Sequence, residues 1–319
     1  MNTNERDLVL RETELHPHLG GILRQAQNLP PMPVAVVHPV EKHSLSGAMA
    51  AAEHGLIIPT LVGPEFRIRA AAEEHGIDLH GIDIVNTEHS HAAAEKAVEL
   101  GRALKVQALM KGALETDELL HAILHKENGL RSEQRLSHIF ALDVNTYPKL
   151  LLVSDGAINI QPDLNTKKSI VINAIALANA LGIDEPKVAI LAAVEMVNAD
   201  MPSTIDAAAL CKMADRGQIK GALLDGPLAF DNAINLEAAE TKGIKSKVAG
   251  DADILLAPDL EAANILAKQM IYLGNAQAAG ILMGARLPVI LTSRSETLFG
   301  RLVSCALGRM VAHNLFHHV

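Results

Sequence analysis

Residues 291–301 read LTSRSETLFGR and place Ser293, Arg294, Ser295 and Glu296 side by side. Such a set suits two kinds of work. A helix N-terminus offers free N–H groups and the positive end of a dipole, and a guanidinium adds a two-pronged grip on oxygens; together they make an anion site. The same letters fit the S-x-x-E capping box from Ser293 to Glu296, with Arg294 turned to water. The run before them, LPVIL, reads as a buried strand. After them, Leu298, Leu302, Cys305, Ala306 and Met310 recur at helical spacing. The two readings are compatible, because a serine can cap the helix while the arginine and the helix end face an anion.

Other reactive side chains point to less. Cys211 and Cys305, the two cysteines, each sit inside an apolar helical pattern, where a thiol tends to stay inert. Two separate thiols suggest neither a disulfide framework nor a zinc site. The histidine groups at 16–18, 89–91 and 317–318 read as solvated helix-end residues. His121 and His125 share a helix face at i, i+4 but lack a third metal ligand nearby in sequence. Asp251 and Asp253 bracket the start of a strand, and Asp259 and Glu261 read as first-turn helix acids. The spacings of a P-loop, a G-x-G-x-x-G turn, a G-x-S-x-G elbow and H-E-x-x-H do not occur. The expected site therefore has no metal and no covalent nucleophile, and it works by holding two substrates and neutralising charge.

The elements that must carry these groups alternate. Strand-like runs at 33–40, 56–63, 82–87 and 107–112 are separated by helical patterns at 43–55, 64–74, 89–104 and 116–127, the last capped by Thr116. A second series has strands at 149–156, 187–197, 221–228, 252–258, 280–285 and 288–293, with helices at 165–181, 203–217, 232–243 and 260–274. This rhythm predicts an α/β fold with parallel sheets and helices on both faces. The first domain is expected over 1–146 plus a closing helix from 296 to the end, with 147–295 inserted as the second; residues 1–29, with one short helix near 15–28, look peripheral. Ligands in open α/β sheets sit at the carboxyl ends of strands. That rule picks out Lys111 and Gly112, Ser154 to Gly156, Asp225 and Gly226, Pro258 and Asp259, and Ser293 and Arg294. Asp225 and Asp259 join the substrate-binding candidates on that basis.

The chain has 319 residues, 49% of them hydrophobic, a net charge of −9, no tryptophan and only two tyrosines. An acidic chain without a basic block or aromatic platforms is a poor nucleic-acid binder, so any anionic substrate must be held by a few placed cations. The polar N-terminus is not a signal peptide, and charge or glycine breaks each apolar run well before a membrane span is reached. A cytoplasmic protein, with no membrane and no nucleic acid among its partners, is expected.

Several stretches together carry a family resemblance. They are HSLSGAMAAAEHGLIIPTLVGP (43–64), ALMKG (108–112), GLRSEQRLSHIF (129–140), VSDGAINIQPDL (153–164), LLDGPLAFDNAI (223–234), the run at 242–269 and VILTSR (289–294). In them the chain resembles the phosphate acetyltransferase/phosphate butyryltransferase family over about 33–312, most closely its butyryltransferase-like branch. The resemblance implies reversible conversion of acyl-CoA and phosphate into acyl phosphate and CoA by direct transfer in a ternary complex. It implies two α/β domains with an interdomain cleft, related in fold to isocitrate and isopropylmalate dehydrogenases. A homodimer is implied too, with coenzyme A as substrate and no tightly bound cofactor. Ser293 and Arg294 would bind phosphate or the carbonyl oxygen, and Lys111, Gly112, Thr116 and Arg131 would bind substrate. Two departures stand out. The acid that acetyltransferases of the family often carry seven residues beyond the serine is Gly300 here, whereas the butyryltransferase-like acid three residues beyond is present as Glu296. His121 stands where many relatives have an arginine. Glu296 is thus the first candidate to accept the CoA thiol proton and His121 the second. Two rivals remain: a catalytically silent binder of CoA or acyl phosphate, and a dehydrogenase of the same fold. The latter predicts Asp pairs on helices, and none is found.

Overall fold

The computed structural model describes residues 3–291 and 296–317. The chain forms two compact units, 1–133 with 279–319, and 134–278. The first unit opens with α1 (Thr3–Leu15), α2 (Pro17–Gln27), β1 (Met32–Val37), α3 (Lys42–Glu53), β2 (Ile57–Gly63), α4 (Glu65–His75), β3 (Asp83–Asn86), α5 (Ser90–Arg102), β4 (Ala108–Lys111) and α6 (Thr116–Leu124). The second holds β5 (Ser137–Asp143), β6 (Leu151–Ser154), α7 (Leu164–Ala180), β7 (Lys187–Leu191), α8 (Pro202–Asp215), β8 (Leu223–Leu228), α9 (Phe230–Ile234), α10 (Leu236–Thr241), β9 (Ile254–Leu256) and α11 (Leu260–Tyr272). The chain then runs through β10 (Gln277–Met283), β11 (Val289–Ile290) and α12 (Leu298–His317).

In the first unit the strands lie in the order β3-β2-β1-β4-β11-β10, all parallel except the β10–β11 pair. Val34 to Val37 of β1 are wholly buried, as an apolar run must be when helices cover both faces of a parallel sheet. In the second unit the order is β5-β6-β9-β7-β8, parallel apart from β5–β6. The α/β architecture and the parallel sheets are those expected. Several local expectations are corrected. The peripheral segment holds two helices where one was expected. Strand β5, in which Ser137 and His138 are buried, is not among the strands expected from the sequence. His16 is also buried, not solvated, with its ring 6.4 Å from that of Phe299. His89 does sit at a helix end: its Nδ1 accepts from the Ala92 N–H and caps α5. Thr116 is the first residue of α6 and not its cap, which is Glu115.

Asp251 and Asp253 do structural work. Lys149 Nζ lies 2.9 Å from Asp251 and 2.8 Å from Asp253, and Lys187 also pairs with Asp251. These pairs tie together the amino ends of β6, β7 and β9. Tyr147 donates its hydroxyl to the Ala252 carbonyl nearby, and burial pushes its pKa well up.

Helix α12 is largely apolar over 299–312 because that stretch is largely buried: Phe299, Leu302, Val303, Cys305, Ala306 and Leu307 are each at most 1% exposed. A Cβ on Gly308 would meet Ile290 Cγ1 at 3.0 Å, so a glycine lets the helix lie close on β11. Arg309, also buried, donates from Nη1 to the Gly55 carbonyl at 2.6 Å and anchors the helix to the turn before β2. The cap of α12 is not the expected Ser293–Glu296 box. The helix starts at Leu298, and Thr297 Oγ1 accepts from the Gly300 N–H at 3.0 Å, which leaves Glu296 outside the helix. Replacing Thr297 by Ala is therefore expected to destabilise the protein by about 1 kcal/mol, with Ser restoring most of it. Urea unfolding monitored by circular dichroism checks this; an unchanged midpoint for Thr297→Ala would remove the cap assignment.

Candidate active site

In the first unit the chemistry gathers at the carboxyl ends of three neighbouring parallel strands. Val37 of β1 is opposite Lys111 of β4, and Met110 of β4 is opposite Ile290 of β11. The chain leaving β11 therefore starts beside Lys111. Gly112 continues the ladder, donating its N–H to the Val37 carbonyl at 2.9 Å. A Cβ at Gly112 would lie 2.3 Å from that oxygen, which makes glycine obligatory at this close approach. The Ala113 N–H donates to the His38 carbonyl. His38 itself is buried in a left-handed conformation, φ 54°, with Nδ1 3.0 Å from the Ala113 carbonyl oxygen. Sequence reading missed His38, whose one signal was its place at the end of β1.

Ser293, Arg294 and Ser295 lie outside the described residues. Glu296, just after them, is held at both ends. Its Oε1 accepts from the Ser304 hydroxyl at 3.0 Å, and its carbonyl accepts from Arg301 Nη2 at 3.0 Å. Arg301 Nη1 donates in turn to the His43 carbonyl at the start of α3. The first turn of α12 is thus tied to the start of α3, the helix that follows β1.

Two other candidates of this unit stand apart. Arg131 forms a backbone bridge with Ala285, and its carbonyl accepts from Arg286 Nε; its own side chain is exposed. His121 is exposed on α6 and lines a groove of about 420 Å³ with His125, Glu95, Glu99, Arg102 and Asn128, most of them from α5. Among the described residues, no three His, Cys, Asp or Glu side chains form a metal-binding group.

In the second unit, Asp155 is fully committed to its own turn. Its oxygens accept from the backbone N–H groups of His138, Ala157, Ile158 and Asn159 and from the Asn159 side chain. His138 is buried against Phe140, and burial takes its pKa down to about 4, so it stays neutral. Asp259 caps α11, accepting from the Ala262 N–H at 2.8 Å. Asp225 is not beyond a strand end: it lies within β8 opposite Ala189, and its Oδ1 accepts from the Gly226 N–H. The strand read at 221–228 runs on through Asp225, and a Cβ on Gly226 would sit 2.7 Å from the Ile190 carbonyl, which is close strand packing. Glu195, which sequence reading passed over, joins Asn232 and Lys242; the Lys242 ammonium holds its carboxyl below the usual range.

The architecture is that of the phosphotransacylases. A branched-chain phosphotransacylase from Enterococcus faecalis V583 superposes with a TM-score of 0.78 at 29% identity, over 88% of this chain and 99% of that one. The family model described as "Phosphate acetyl/butaryl transferase" matches residues 93–307. A phosphate acetyltransferase of Rickettsia typhi is 53% identical over 92% of this chain and 84% of its own length. A phosphate butyryltransferase of Clostridium beijerinckii is 40% identical over 91% and 96%. The chain belongs to the phosphate acetyl/butyryl transferase family, and it is an acyltransferase of that family.

Neither cysteine is prepared for attack. Burial, the leading cause in each case, pushes Cys211 and Cys305 up to about 12; Asp225 adds to it at Cys211 and Glu296 at Cys305. At about pH 8 almost no thiolate exists at either position. Iodoacetamide is expected to leave both thiols of the native protein unmodified and transfer activity intact, with full labelling after unfolding. Mass spectrometry that finds rapid native labelling at either position contradicts this.

Proposed function

We propose that the chain is a phosphate acetyltransferase: acetyl-CoA and phosphate give acetyl phosphate and CoA, reversibly and without a covalent enzyme intermediate. The observation that supports the reading is the parallel pairing of β11 with β4, Ile290 opposite Met110, one residue before Lys111 and Gly112; Ser293, Arg294 and Glu296 follow β11 in the sequence. The choice of acetyl is supported by the 53% identity to a relative named phosphate acetyltransferase against 40% to one named phosphate butyryltransferase.

In the forward direction a phosphate oxygen attacks the thioester carbonyl. The C–O bond forms, negative charge grows on the carbonyl oxygen, and the C–S bond breaks to release CoA as thiolate. Arg294, Ser293 and the N–H groups at the start of α12 stabilise that charge, each well-placed donor contributing about 3–4 kcal/mol. Lys111 neutralises phosphate. Gly112 and Thr116 contribute backbone and hydroxyl contacts, and Arg131 and His121 act as outer groups for the CoA phosphates. In reverse, the CoA thiol, with an ordinary pKa near 8.5, gives its proton to Glu296 as its sulfur attacks the acyl carbonyl and the acyl C–O bond breaks to release phosphate; in the forward direction the same carboxyl returns that proton to the departing sulfur. Coenzyme A is a substrate and no tightly bound cofactor takes part.

The enzyme works in the cytoplasm, where CoA thioesters are made, and as a homodimer. Among the described residues no helix is long and apolar enough to cross a membrane. Exposed Ile265, Tyr272 and Leu273, in and just after α11, favour contact with a second copy.

Arg294→Ala is expected to lower turnover more than about tenfold even at saturating substrate, because the contact strengthens as charge develops. Arg294→Lys stays poor, since an ammonium cannot form the fork. The measurement is CoA-dependent arsenolysis of acetyl phosphate alongside propionyl and butyryl phosphates. Normal turnover of Arg294→Ala would return the stretch to a plain loop, and fastest turnover of the butyryl substrate would overturn the acetyl assignment.

A further inference from the structure

We propose that Ser304 is a positioning residue for the reaction: its hydroxyl holds the Glu296 carboxylate in place and in its proton-accepting form. The inference rests on the reading of Glu296 as proton acceptor given above.

Ser304 lies inside α12 with no exposed surface, between buried Val303 and Cys305. A buried helical serine commonly turns its hydroxyl back to the carbonyl four residues earlier. Here the hydroxyl reaches outward instead. It donates to Glu296 Oε1 at 3.0 Å and accepts from the Gly280 N–H of β10 at 3.0 Å. Accepting from a fixed strand N–H leaves its proton directed to the carboxylate. A hydroxyl that gives its proton to a carboxylate favours the ionised form, the one able to take a proton from a thiol.

Glu296 needs such a tether because it precedes the helix and its cap. Arg301 fixes its backbone from one side, bridging to the His43 carbonyl of α3, and Ser304 fixes its side chain from the other. Among the described residues, His16, paired with Glu12, lies by Phe299 at the start of α12, and Lys42 and His43 open α3, which also packs on the helix. On α12 the titratable and charged groups near Glu296 are Arg301 and Cys305, whose thiol the Glu296 charge helps to push up. α3 meets the Arg301 bridge through a backbone carbonyl, and Gln277–Met283 of β10 carries no titratable side chain. Lys111 ends the strand beside β11, and Arg294 stands two residues before Glu296 in the sequence. The hydroxyl is a neutral donor to the carboxylate, and its removal shifts the balance toward the protonated acid.

The test measures acetyl-CoA formation from acetyl phosphate and CoA across pH for the wild type, S304A, S304T, E296Q and S304A/E296Q. In S304A the acid limb of the rate profile is expected to move to higher pH. Turnover near pH 6 falls about tenfold and recovers to within about threefold near pH 8, as a donor lost from a charged acceptor implies. KM for acetyl phosphate changes little, and S304T, which keeps the hydroxyl, restores the limb. In the E296Q background S304A adds less than about twofold, because the two residues act as one unit. Should S304A fail to fold, S304C, similar in size and a weak donor, carries the same expectation. A folded S304A with an unmoved acid limb, or one that slows E296Q as much as wild type, would overturn the inference and leave Ser304 as a partner for Gly280 alone. E296Q at the wild-type rate would remove the acceptor itself and the inference with it, a result distinct from slow E296Q with an unmoved S304A limb.

Discussion

Strand β11 has only two residues in its ladder, yet their parallel seat beside β4 decides where α12 begins. Positions 110 and 290 are remote in sequence, and a pairing of that kind forms only after the second unit's chain has been accommodated. The pairing is held by packing more than by its own hydrogen bonds. Gly308 lets α12 lie against Ile290, and the helix is largely buried over 299–312. With the helix so fixed, Arg301 of its first turn reaches the start of α3, the helix that follows β1, and holds the Glu296 carbonyl on the way.

Electrostatics follow from the same placement. The chain is acidic, with a net charge of −9, so attraction for phosphate cannot come from its overall field. It must come from a few cations and from oriented N–H groups at short range, which a helix start beside parallel strand ends supplies. Elsewhere charge is spent on architecture. Lys149 and Lys187 with Asp251 and Asp253 bind strand starts together, and buried Lys167 of α7 meets Asp206 of α8 at 2.7 Å. Asp155, for all its position after β6, has its oxygens taken up by the turn it organises.

The cap of α12 and the role proposed for Glu296 fall to different residues. Thr297 takes the capping role one residue later and leaves the carboxylate outside the helix, where Ser304 receives it. The division is a matter of a single residue of register, which a capping-box pattern cannot resolve.

By itself the sequence determined the order and kind of most elements, the two-fold series of strands and helices, the inert surroundings of the cysteines, and Lys111 and Gly112 as strand-end residues. Apolar period and glycine placement carry that information, because they report which face of an element is buried and where the chain turns. Tertiary structure alone decided which strand ends are neighbours. It made Asp259 a cap, hid His16 and His138, and added β5, which the sequence reading did not name. It also decided that Ser304 and Arg301, unremarked members of a helical pattern, converge on Glu296. The reason is that periodicity names a buried face but not what covers it. A hydrogen bond from a helix interior to a residue eight positions earlier, outside the helix, depends on where that preceding chain is held, and β4 and β11 hold it.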